Sequence, residues 1–75
     1  MNQSFYHFVL TFRGGPKGDS KAVFAEAMFH DHSFPKTNET FEPLSRYIEE
    51  KGDLEMPASV FDELWQNYEE MKRLG

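Results

Sequence analysis

The chain of 75 residues has no cysteine. That excludes disulfide staples and thiol chemistry, and it suits a cytosolic setting. Glycine and proline are few, at five and four, and three of the glycines fall in one stretch, Gly14 to Gly18. No run approaches the ~18 apolar residues of a membrane span. The first residues lack the basic region and long apolar run of a secretory leader, so a cytoplasmic protein is expected. Bases are the scarcer charge, eight against thirteen acids, for a net charge of -5. Residues 1–36 carry Arg13, Lys17, Lys21 and Lys36 against Asp19, Glu26 and Asp31, which is +1; residues 37–75 carry four bases against ten acids, which is -6. An acidic second half opposes extended contact with nucleic acid phosphates but leaves room for a small basic patch on the first half.

What the chain does have is aromatic rings: eight Phe, three Tyr and one Trp. A domain of this size buries only about 60% of its unfolded surface. Each buried ring removes on the order of 150–250 Å² from water, so the rings must supply the core.

Four helices are predicted, in one domain spanning 1–75. Ser4 is a candidate N-cap, and Phe5, Phe8, Val9 and Phe12 follow at helical spacing through residue 13, with Tyr6 and His7 off the stripe. Gly14 to Gly18 breaks the pattern, with Gly14 a candidate C-cap. Asp19 or Ser20 caps a second helix whose apolar face is Val23, Phe24, Ala27 and Met28, with Lys21 and Glu26 outward. It ends near His30 or Asp31, because Phe34 precedes Pro35. Thr40 caps a third helix with Pro43 in its first turn and Phe41, Leu44, Tyr47 and Ile48 as its apolar side; Gly52 closes it. After a connector, Phe61, Leu64, Trp65, Tyr68 and Met71 mark a fourth helix, begun by Pro57 in its first turn or by Ser59 as a cap. Trp65 is expected to bury the most surface, with Trp65→Ala costing roughly 3–5 kcal/mol.

Ser4-Phe5-Tyr6, Phe24-Ala25, Asp31-His32-Ser33-Phe34-Pro35-Lys36, Tyr47-Ile48-Glu49 and Phe61-Asp62-Glu63-Leu64-Trp65-Gln66-Asn67-Tyr68, with Arg13 and Asp19, resemble the YozE-like family. These are short proteins of low-GC Gram-positive bacteria. The resemblance covers nearly the whole chain and implies an all-α, four-helix SAM-like (sterile-alpha-motif-like) bundle and a cytosolic setting. It implies no activity. The glycine-rich loop departs from the family pattern.

The motifs with chemical potential weigh towards structure. In His30-Asp31-His32, a spacing of two sets helical histidines about 200° apart, whereas a helical chelate needs i, i+4. A hydrogen-bonded helix end is the better reading, with Asp31 and Ser33 suited to turns. Phe34 reads as a core plug and Pro35 as the residue that sets the exit direction. The glycine-rich loop is not a phosphate-binding P-loop, since Gly-x-x-x-x-Gly-Lys-Ser/Thr is unmet. Nothing sets a base and an orienting carboxylate around a nucleophile, and a chain this small has little room for a pocket of a few hundred Å³. The expectation is a non-enzymatic module without cofactor or metal that binds a protein, including itself, by pairing its oppositely charged halves head to tail. The expected surface is Arg13, Lys17, Lys21, His32 and Lys36. The alternative is nucleic-acid binding through the same bases.

Overall fold

The computed structural model describes residues 4–74. Four helices follow in order: α1 (Phe5–Leu10), α2 (Ser20–His30), α3 (Phe41–Lys51) and α4 (Ala58–Leu74). The described residues contain no strand.

Local chemistry sets most helix ends. Ser4 Oγ accepts the His7 N–H at 3.2 Å, and Asp19 Oδ2 accepts the Ala22 N–H at 3.0 Å, each satisfying one orphan donor. Gly52 closes α3 at φ +60°, a conformation that costs glycine little, and its N–H reaches the Ile48 carbonyl at 3.2 Å. Thr40 stands at the start of α3, but its side chain makes no capping bond. At α4 the Pro57 carbonyl accepts from Phe61 N–H at 3.0 Å, so Pro57 holds the cap position and Ser59 lies inside the helix.

α1 is shorter than its stripe predicts. It ends at Leu10, with Thr11 rather than Gly14 as its C-cap. Phe12 and Arg13 then bond three residues back, to Val9 and Leu10, before Gly14 turns at φ +79°. Tyr6, expected off the stripe, is buried, and Phe8 and Phe12 are only half-buried. α1 is covered by α2, by α4 and by the Phe34 loop, so more than one of its faces is inside. α2 is rotated from its expected face. Ala22, Phe24, Ala25 and Met28 are buried, while Val23 and Ala27 are half-buried.

α4 packs on all three other helices. The centre is aromatic: Phe5, fully buried, lies 5.4 Å from Phe61, 5.5 Å from Tyr68 and 5.3 Å from Trp65, ring to ring. Trp65 itself is half-buried, so Phe5, Phe61 and Tyr68 hold the central place expected for it. Phe34 plugs the core between the Tyr6 and Tyr47 rings, at 5.8 and 5.5 Å. In the connector before α4, Met56 is buried and Leu54 is 95% exposed.

Candidate interaction site

α2 and α3 do not pack on each other. The space between them and the α3–α4 connector is an open hollow of about 440 Å³. A hollow of that size was not expected in so short a chain. It exists because α4 serves as the common partner of both helices and leaves their far sides apart. Val23 and Ala27 supply its apolar lining. Glu26, His30 and Asp31 line it from the end of α2; Lys51, Asp53 and Glu55 line it from α3 and the connector.

Polar groups bridge the gap that apolar packing leaves. The Tyr47 hydroxyl donates a hydrogen bond to Asp31 Oδ2. Asp31 Oδ1 accepts the Ser33 N–H at 3.1 Å and lies 3.5 Å from Lys51 Nζ. The Asp31 side chain is only 7% exposed. Burial pushes its carboxyl up, but the Tyr47 and Ser33 hydrogen bonds and the Lys51 charge together outweigh that and hold it below the ordinary range. Burial, then the bond to Asp31, pushes the Tyr47 hydroxyl up to about 12. This pair is therefore an ionised acceptor held by a neutral donor across neutral pH, which suits a pin and not a proton-transfer couple.

A second network flanks the first. Arg13 donates to Glu26 through Nε at 3.1 Å and Nη2 at 2.9 Å, a two-pronged pair. His30 Nε2 lies 3.1 Å from Glu26 Oε2. The Arg13 hydrogen bond, the largest influence, lowers the Glu26 carboxyl despite some burial. The guanidinium also sits 3.7 Å over the Phe29 ring, which is 43% exposed. Asp53 Oδ1 accepts the Glu55 N–H at 2.9 Å, a turn that holds Leu54 outward.

The five residues expected to form a surface are divided. Arg13 is engaged with Glu26 and Phe29. Lys21, half-buried, donates to Asn67 Oδ1 of α4 at 2.8 Å, not outward as its helical position suggested. Lys36 is exposed, with its ammonium 5.6 Å from the Tyr6 ring centre. Lys17 and His32 are exposed. His30 is held by Glu26, and no group of three His, Asp or Glu side chains could hold a metal ion among the described residues. Tyr47, Lys51, Asp53, Leu54 and Glu55 were not anticipated at a site. The one sequence signal was Asp-Leu-Glu, an apolar residue between two acids, outside any helical period and between a glycine stop and a proline start.

These features define a small all-α module with a polar hollow beside an aromatic core. Among the described residues no helix is long and apolar enough to cross a membrane. The family model described as the YozE SAM-like fold matches residues 4–70. The chain belongs to that family, as its motifs implied. It is similar to a UPF0346 protein of Staphylococcus epidermidis strain RP62A, 48% identical over 69 residues that cover 92% of this chain and 90% of the relative. A UPF0346 protein of Staphylococcus aureus strain JH9 is 49% identical over 69 residues, covering 92% of each chain.

Proposed function

We propose that this chain is a non-enzymatic, cytoplasmic protein-interaction module, and that the hollow between α2, α3 and the connector is its docking site. The observation that carries this reading is the make-up of the hollow. It has apolar lining from Val23 and Ala27, a charged rim, and the exposed Phe29 and Leu54 beside it. An apolar base within a polar rim is how a protein-binding patch is built. The rim favours a partner segment that carries positive charge, because Asp53 and Glu55 have no cation within ion-pair distance among the described residues. Of the five residues expected on the surface, Arg13 shapes the rim through Glu26. His32 and Lys36 extend the surface past the end of α2, and Lys17 and Lys21 lie at the opposite end of that helix.

Nucleic-acid binding is the weaker reading. Arg13 and Lys21 already hold protein partners, so few cations are left to displace counterions from phosphates. The test is capture from host lysate on immobilised wild-type protein and on the folded Glu55→Lys variant, with labelled DNA and RNA titrated in parallel. Proteins retained by wild type and lost by Glu55→Lys support the reading. Equal capture by both, or nucleic-acid binding at physiological salt, overturns it.

A further inference from the structure

We propose that the hollow receives the Gly14–Gly18 loop of a second copy, with Lys17 set against Asp53 and Glu55, so that copies associate head to tail. This rests on the hollow being a protein-docking site, and it names the partner.

Charge supplies the first argument. Four carboxylates line the hollow. Glu26 is answered by Arg13 and His30, and Asp31 by Lys51, so Asp53 and Glu55 are the two without an ion-pair partner among the described residues. Two copies meeting hollow to hollow would oppose those acids to themselves, which disfavours a two-fold contact.

The loop supplies the second. Between Arg13 and Asp19 the residues are Gly, Gly, Pro, Lys and Gly, so Lys17 is the one long side chain on a slender backbone. Gly14 and Gly18 take φ of +79° and +85°, and a Cβ placed on either would meet nothing within 4 Å. Both are open on the side a Cβ would take, whereas Gly15 lies against Ala22, and Lys17 is exposed and makes no hydrogen bond or ion pair among the described residues. Arg46 and Arg73 are exposed too, but each lies at helical spacing from two glutamates, Glu42 and Glu50 or Glu69 and Glu70, and so sits in an acidic field.

Geometry supplies the third. The loop leads into the first turn of α2, and the hollow is lined from Val23 to Asp31 along that helix and its C-terminal end. Lys17 makes no ion pair with Asp53 or Glu55 of its own chain among the described residues. A loop on one copy entering a hollow on the next is a heterologous contact, which builds a ring or an open series of copies.

Sedimentation velocity up to about 1 mM protein at low salt tests this, since a contact of this kind reaches only the weak end of the affinity scale. The wild type is expected to shift steadily to larger species with concentration and to lose that shift at high salt. Lys17→Glu and Glu55→Lys should each weaken association roughly tenfold. An equimolar mixture of the two variants should recover it, because each loop then finds a hollow of opposite charge. A wild type that stays at one chain's mass at every concentration, variants that associate like wild type, or a mixture that recovers nothing would each overturn the proposal. A monomeric wild type that still captures lysate proteins through Glu55 would leave the docking site standing and remove only the second copy.

Discussion

The α1–α4 contact and the α2–α3 gap are built from opposite materials. Across the first, rings meet rings, and Phe5 touches three aromatic neighbours on one helix. Across the second, helices that do not pack are tied by a tyrosine, an aspartate and a lysine. Ring packing gains from every buried atom and, apart from the Tyr68 hydroxyl at high pH, carries no titrating group. A polar tie gives little net stability but fixes distance and direction, so it can hold an open hollow without filling it. The difference is a division of labour: one side of the molecule folds the chain, and the other keeps an open hollow, which we propose is used for binding.

Substitutions can break this contrast in graded steps. Phe5→Ala should have the largest effect, about 3–5 kcal/mol by chemical denaturation. That threatens folding in a domain whose whole stability is on the order of 5–10 kcal/mol. Trp65→Ala, at a half-buried ring, should cost clearly less; an equal or larger loss would return Trp65 to the centre. Tyr47→Phe comes next, at about 1–3 kcal/mol, because it strips a donor from a buried carboxylate.

The same pin predicts a pH profile. The Asp31 carboxyl is lowered by folding, so its contribution is present above its unfolded value, near 4, and is lost as pH falls through the folded value. The Tyr47 hydroxyl is raised, so its contribution is whole below about 10 and is lost as pH climbs towards about 12. Tyr68 is raised as well, chiefly by burial, and adds to the alkaline loss. Urea midpoints across pH should therefore fall at both ends, and Tyr47→Phe should flatten the alkaline fall without abolishing it. Arg13→Ala should have the smallest effect, one that fades as salt is raised, because its pair with Glu26 is exposed.

Much of the fold was legible because its signals are local. Ser4, Asp19 and Gly52 cap the helices that their positions predict, and the Phe61–Tyr68 spacing marks α4. What escaped was long-range. In α2, Ala22, Val23, Phe24, Ala25, Ala27, Met28 and Phe29 run nearly around the helix, so periodicity cannot choose the face; the choice falls to α1 and α4. Tyr6 is buried because Phe34, far along the chain, covers it. Asp31 was legible as a helix-end acceptor through Ser33, but its bond to Tyr47, sixteen residues on, was not. The hollow depends on which helix pair fails to meet, and a single sequence does not carry that.

We propose that folding and recognition sit on separate sides of the molecule. This is tested most directly by capture on the Glu55→Lys variant, with its unfolding curve as the reference. Glu55 is exposed, so the substitution should leave stability within about 0.5 kcal/mol of wild type. The variant is expected to keep the wild-type unfolding curve and to lose the captured partner. An unchanged curve with full capture would contradict the proposal.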